Sequence, residues 1–351
     1  MTLSTMLSLL ALVGQTPAAS VGTEADFVVR NFAFASGETL PELRIHYTTL
    51  GRPAHNARGR TSNAVLIMHG TTGSGRGFLS PSFAGVLFGK GQLLDTSRYY
   101  VILPDGIGHG KSSKPSDGLR MKFPKYTYDD MVKADFRLVT EGLKVNHLRL
   151  VMGTSMGAMH TWIWGYTHPD FMDALMPLAS LPVEIAGRNR MMRRMIRDDI
   201  TGDPEWRDGK YTAPPRGLRA AANILLLMTS APLQWQKEAP TRDQADAFLE
   251  TRLTRTIASL DANDMLYAFD ASRTYDPSPH LADIKAPLLA INSADDQVNP
   301  PELGIMEREI RKVPKGRFVL LPITDETRGH GTHSLPAIWG KYLAELLTST
   351  Q

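Results

Sequence analysis

A serine hydroxyl becomes a useful nucleophile only when a base takes its proton and an acid holds that base in one tautomer. The sequence offers such a serine at Ser155, inside Gly153-Thr154-Ser155-Met156-Gly157. The residues before it, Leu150-Val151-Met152, are apolar, and helical periodicity follows over 158–166. A strand that runs into G-x-S-x-G and on into a helix makes a tight elbow. The serine then sits on a strained turn with its Oγ exposed, and the two glycines admit neighbouring backbone. The positive end of the helix lies beneath the nucleophile. The chemistry this permits is acyl transfer through a serine ester.

The base and acid must come later in the chain, in the order serine, acid, histidine. Asp295 and Asp296 follow an apolar run, and His330 lies in the glycine-flanked segment Gly329-His330-Gly331-Thr332-His333. Asp296 opens Asp296-Gln297-Val298-Asn299-Pro300, a spacing suited to the triad acid, whereas Asp295 reads as a loop cap. His330 has glycine on both sides and can approach Ser155, while His333 starts the last helix and reads as a packing or surface residue. No third residue has the spacing to make the two histidines a zinc site. The oxyanion that develops during attack needs two donors. The N–H of Met156 is one by construction of the elbow. The other falls in Met68-His69-Gly70-Thr71-Thr72-Gly73, where Thr71 is the first choice and Thr72 the alternative. Asp105-Gly106-Ile107-Gly108-His109-Gly110 lacks both the dinucleotide spacing and the Walker lysine, so it reads as a loop passing backbone near the site. His160 and His168 read as structural or surface residues.

These side chains need a scaffold that brings distant segments together. Six short apolar runs, at 64–68, 99–103, 148–152, 174–178, 287–291 and 317–321, read as strands buried on both faces of a mostly parallel sheet. Helical periods lie between them, for example over 128–143, so the alternation specifies an α/β architecture. Two alternating stretches, 27–35 and 43–50, read as an antiparallel edge pair. Over 181–275 the rhythm breaks into a nearly strand-free segment rich in Met, Arg and Leu, punctuated by Gly202, Pro204, Pro214 and Pro215. The expected organisation is a core of 25–180 and 276–348 interrupted by a helical lid at 181–275. Within the lid, Arg188 to Arg197 reads as an amphipathic helix with a solvated basic face.

Composition narrows the partners. The 351 residues carry 39 basic and 36 acidic side chains, too even a balance for a nucleic-acid footprint. The absence of cysteine removes thiol catalysis, thiolate metal sites and disulfides. An apolar run from Met6 to Val13, followed by Pro17 and small residues, reads as a signal peptide over 1–20, implying a periplasmic or secreted protein; a helical extension of a cytoplasmic one is the alternative. The run is too short to span a bilayer, which takes about 20 apolar residues.

Taken together, the segment 27–346 resembles the α/β-hydrolases of the homoserine O-acetyltransferase type and their esterase relatives. The resemblance rests on the elbow, on Phe123-Pro124 with Tyr128-Asp129-Asp130-Met131-Val132, and on Arg193 through Asp203-Pro204-Glu205-Trp206, Gly209-Lys210-Tyr211 and Arg216-Gly217-Leu218. It implies the α/β-hydrolase fold, a mostly parallel twisted sheet flanked by helices with a helical lid, and it places Arg193 near the acyl acceptor. Transferases of this type usually carry aspartate directly after the catalytic histidine, where it helps hold the amino group of homoserine; here the residue is Gly331. The expectation is therefore an esterase acting on a small-molecule ester with no cofactor, with acyl transfer to an alcohol as the alternative and a non-catalytic binding protein as a third reading.

Overall fold

A computed structural model describes residues 22–350. The proposed signal segment 1–20 lies outside the described residues. Eight strands form one sheet in the order β1-β2-β4-β3-β5-β6-β7-β8. They are β1 (Thr23–Ala33), β2 (Thr39–Leu50), β3 (Ala64–Met68), β4 (Tyr100–Pro104), β5 (Leu150–Thr154), β6 (Leu175–Leu178), β7 (Leu288–Ser293) and β8 (Gly316–Leu321). β2 pairs antiparallel with both β1 and β4, and the other neighbours pair parallel.

Every residue of β3 to β7 is buried. Apart from Thr154, Asn292 and Ser293 at the C-terminal ends, those strands read as apolar runs because helices cover both faces of the sheet. β3 illustrates the division of labour. Ala64, Leu66 and Met68 pack into a core with α1 (Tyr128–Arg137) and α2 (Met156–Thr167), while Val65 and Ile67 face the other side, with Phe83 and with Trp339 and Leu343 of α8 (Pro336–Ser349). The edge hairpin runs longer than its hydrophobic alternation, because β1 and β2 stay in register from Thr23↔Thr49 to Ala33↔Thr39.

Between β6 and β7 the chain forms α3 (Gly187–Thr201), α4 (Arg216–Thr229), α5 (Pro232–Glu238), α6 (Arg242–Ala258) and α7 (Ala262–Asp270). Ile196, Ile200, Trp206, Leu218, Met265 and Phe269 give this insertion a small core of its own. α3 departs from the amphipathic expectation. Arg193 faces inward and is 3% exposed, whereas Met191 and Met195 face solvent at 66% and 53%. The inward arginine is tolerated because neutral hydrogen-bond partners wait for it, as the site below makes clear. Among the described residues no helix is long and apolar enough to cross a membrane.

Candidate active site

β5 delivers Ser155 to the C-terminal edge of the sheet, and α2 starts at the next residue. Ser155 has φ 53° and ψ −110°, a region that L-residues other than glycine seldom occupy. Its N–H donates to the Leu178 carbonyl at 2.8 Å, which pins the strained turn to β6. The flanking glycines are required by contact: a Cβ at Gly153 would lie 2.1 Å from the Gly157 carbonyl oxygen, and one at Gly157 would lie 2.0 Å from that of Met68.

His330 comes from the loop after β8 and meets the serine across a separation of 175 residues. Its Nε2 is 2.7 Å from Ser155 Oγ, and its Nδ1 is 2.9 Å from Asp296 Oδ2. A carboxylate only accepts, so the Nδ1–H donates to Asp296 and leaves Nε2 free to accept the serine proton. Asp296 is fully buried on the turn after β7. Its Oδ1 accepts from the N–H groups of Val298 and Asn299 at 2.8 and 3.2 Å, and its Oδ2 also accepts from Asn299 Nδ2 at 3.0 Å. Burial alone would raise this carboxyl's pKa. The facing His330 and these hydrogen bonds outweigh burial and hold it below its ordinary value.

The neighbouring acid does different work. Asp295 accepts from the Gly329 N–H at 2.9 Å and from Ser293 Oγ, so it fixes the backbone leading into His330 without touching the imidazole. His333 sets its ring edge-on to His330 at 5.3 Å, and burial lowers its pKa to about 3. It reaches neither the serine nor an acid within the hydrogen bonds described. His160 is a buried core residue packed 4.8 Å from Tyr128, and His168 stacks on Phe136 at 3.9 Å.

Met156 holds the first helical position after Ser155, where an N–H has no partner four residues back. Across from it, the loop after β3 brings Gly70 against the serine; a Cβ there would sit 3.4 Å from Ser155 Cβ. Thr71 and Thr72 line the same cavity as Ser155 and His330. That cavity holds about 620 Å³. Its lining comes from the sheet edge on one side and from α3, α4 and α5 on the other, including Arg193, Leu225, Met228 and Trp235. Arg193 Nε donates to Asn189 Oδ1 at 2.9 Å and a terminal nitrogen donates to Ser272 Oγ at 3.1 Å, with the guanidinium 5.4 Å over the Phe269 ring. These partners are neutral, so the buried positive charge faces the cavity without a carboxylate among them.

The fold and this arrangement define an α/β-hydrolase. The family model for the alpha/beta hydrolase fold matches residues 63–324, and the chain belongs to that family. Within it the chain falls among relatives of the homoserine O-acetyltransferase type. It is 32% identical over 332 residues to a homoserine O-acetyltransferase of Pelobacter propionicus, covering 84% of this chain and 87% of that protein. Among solved structures, an acetylester hydrolase from Corynebacterium glutamicum superposes with a TM-score of 0.81 at 22% identity, covering 93% of this chain and 96% of the other. A homoserine O-acetyltransferase from Bacillus anthracis superposes with the same score at 20% identity, covering 93% and 98%.

Sequence reasoning passed over Asp295 as a brace for the histidine loop, and Asn299 as a second donor to the acid. It also gave His69 and His109 no part beyond their turns. The pattern Asp105-Gly106-Ile107-Gly108-His109-Gly110 after a strand was the available signal, since a histidine framed by glycines in a buried turn has few reasons to be there other than a tertiary hydrogen bond.

Proposed function

We propose that the protein hydrolyses carboxylic esters through a covalent acyl-enzyme. Ser155 Oγ attacks the ester carbonyl as His330 Nε2 takes its proton, and Asp296 stabilises the imidazolium that forms. The N–H groups of Met156 and Thr71 receive the developing oxyanion. Collapse of the tetrahedral intermediate expels the alcohol, which takes the proton from His330 Nε2. Water then attacks the acyl-enzyme with the same histidine as base, and Ser155 is regenerated with release of the acid. The helices α3 to α7 serve as the lid over the cavity. The observation that carries this reading is the continuous line from Ser155 Oγ through His330 to Asp296, at 2.7 and 2.9 Å, opening into a cavity.

Water is favoured over a bound alcohol because residue 331 is glycine, with no side chain to hold an amino group beside His330. The second reading, acyl transfer to a carboxylate-bearing alcohol, is supported by the buried Arg193 in the cavity wall and by the relative named homoserine O-acetyltransferase. The test follows the acetyl group when the purified protein meets p-nitrophenyl acetate with and without L-homoserine, with Ser155→Ala as the blank. Free acetate in both mixtures is the expected result. Acetylated homoserine formed at the expense of acetate would overturn hydrolysis in favour of transfer, and full activity in Ser155→Ala would overturn the mechanism itself.

A further inference from the structure

The turn after β4, from Asp105 to Gly110, takes no part in the serine chemistry, yet its groups reach the loop that carries the oxyanion donor. The Gly106 N–H donates to His69 Nε2 at 3.0 Å. That bond makes Nε2 an acceptor and leaves the ring proton on Nδ1, which donates to the Gly70 carbonyl at 2.8 Å. His109 lies 5.1 Å from His69, ring to ring, with its Nε2 2.7 Å from the Thr71 carbonyl and its Nδ1 2.9 Å from that of Ile107. A neutral ring has one proton to give; carried on Nε2, it donates to the Thr71 carbonyl, and the His109 variants below test that placement. Burial keeps both rings neutral, lowering the His69 pKa to about 3 and that of His109 in the same direction. They act on the loop by direction and not by charge.

Peptide geometry turns these bonds into control of the donor. In a trans peptide the carbonyl and the following N–H point opposite ways. The Gly70 carbonyl, held by His69 and by the Gly73 N–H at 2.9 Å, therefore fixes where the Thr71 N–H points. The Thr71 carbonyl, held by His109, fixes the Thr72 N–H in the same way. Both peptide planes flanking the Thr71 Cα are thus immobilised in a loop with glycine at 70, 73, 75 and 77, where the backbone would otherwise be loose. Asp105 ties the same turn to the far side of the loop, accepting from the Gly75 N–H at 2.7 Å and from the Lys111 N–H at 2.8 Å. Gly110 passes so close to this carboxylate that a Cβ would lie 2.0 Å from Oδ2.

We infer that His69 and His109 are positioning residues that clamp the two peptide planes around Thr71, so that the oxyanion donor is aimed before substrate arrives. The inference rests on the ester-hydrolase reading of Ser155. Preorganised donors stabilise the transition state because no reorganisation is left to do at the moment of reaction. Loss of a whole oxyanion donor typically lowers kcat by about 10²–10³. A donor that remains but swings out of line should cost a share of that, about tenfold to a hundredfold.

The experiment compares His109→Phe, which keeps a ring but no donor, with His109→Gln, whose amide can donate from near the Nε2 position. Both are assayed as the full chain on p-nitrophenyl acetate, with active sites counted by complete reaction with a p-nitrophenyl phosphate triester. Each variant's affinity for a trifluoromethyl ketone is measured alongside, because that ligand places an oxyanion in the same position. Expected for His109→Phe is a kcat per active site lower by about tenfold or more, KM within about threefold, and ketone affinity weakened by a similar factor to kcat. His109→Gln should recover most of both. A merely structural histidine would reduce the number of titratable sites and leave kcat per site alone. That outcome overturns the inference, as does equal loss in the Gln and Phe variants. Failure of the hydrolase reading is distinguishable, because it would appear as acetylated homoserine formed by the wild-type protein at the expense of acetate, or as turnover that survives in Ser155→Ala.

Discussion

Exchanging Asp296 for asparagine tests the acid assignment more sharply than removing it. The carboxylate Oδ1 accepts from two backbone N–H groups, so an asparagine at 296 keeps its amide oxygen there and turns its nitrogen into the Oδ2 position. That nitrogen would face His330 Nδ1 where the acceptor stood at 2.9 Å. It would also face Asn299 Nδ2, which cannot easily turn away because it donates to the Ala179 carbonyl at 3.0 Å. The amide donates, His330 Nδ1 must accept, and the ring proton moves to Nε2. An imidazole protonated at Nε2 cannot take a proton from Ser155. The same tautomer fault in a serine protease triad lowers kcat about 10⁴-fold, which at about 1.36 kcal/mol per decade is about 5.4 kcal/mol of lost transition-state stabilisation. Steady-state hydrolysis of p-nitrophenyl acetate at pH 7.5 measures it. Asp295→Asn is the control: that residue braces Gly329 and makes no contact with the imidazole, so a loss below about tenfold is expected. Asp296→Asn retaining more than about a tenth of wild-type kcat, or Asp295→Asn losing as much as Asp296→Asn, would refute the reasoning.

Arg193→Ala should raise KM for esters that carry a carboxylate by about tenfold to a hundredfold, the loss of one or two charge-assisted hydrogen bonds, while neutral esters change by less than about threefold. Equal loss on acidic and neutral esters would reject a substrate-binding part for Arg193. Acid should destabilise the protein well above the range of ordinary carboxylates, because burial holds the pKa values of His69 and His333 at about 3. The unfolded chain takes up those protons near pH 6.5 and the folded one does not, so stability is full above that pH and falls by about 1.4 kcal/mol per unit per histidine as the pH drops towards 3. Urea unfolding of wild type and His333→Leu between pH 4 and 6.5 reads this directly, and an unchanged slope in the variant would rule out the burial argument.

The parts legible in the sequence were those set by local geometry. Ser155 could be read because strand, turn and helix are contiguous and two glycines frame it, Gly153 answering a contact within the elbow and Gly157 one with Met68 of β3. The buried strands could be read because both faces are covered and no polar residue interrupts them. His330 and Asp296 were accessible only through chain order, and the choice between Asp295 and Asp296 turned on the short spacing to Pro300. Arg193 and Met195 mark where this kind of reading fails. Periodicity assigns methionine inward and arginine outward, but Arg193 turns in beside Asn189, one turn earlier on α3, to meet Ser272, and that last contact exists only once the helices have assembled. The glycine frame around His109 signalled a tertiary bond, but the partners of His69 and His109 were out of reach, since each bond joins the loops after β3 and β4 across about 40 residues.

What separates an esterase from a transferase in this family is the fate of one acyl-serine. The backbone does not decide it, because an acetylester hydrolase and a homoserine O-acetyltransferase superpose on this chain with the same TM-score of 0.81. The decision falls to side chains that hold an acceptor still. An alcohol outcompetes solvent only if its hydroxyl is kept in line with the acyl carbon and the base, which takes at least two points of attachment. On the proposed reading Arg193 would offer one, at the end of an acidic acceptor away from the serine. Beside His330, residue 331 is glycine and has no side chain to offer as a second. An acceptor tethered at one end would leave its hydroxyl to wander, and on the proposed hydrolase reading water, which needs no tether, would then reach the ester first. Placing aspartate at 331 should therefore shift the partition towards the alcohol without altering the rate at which the acyl-enzyme forms.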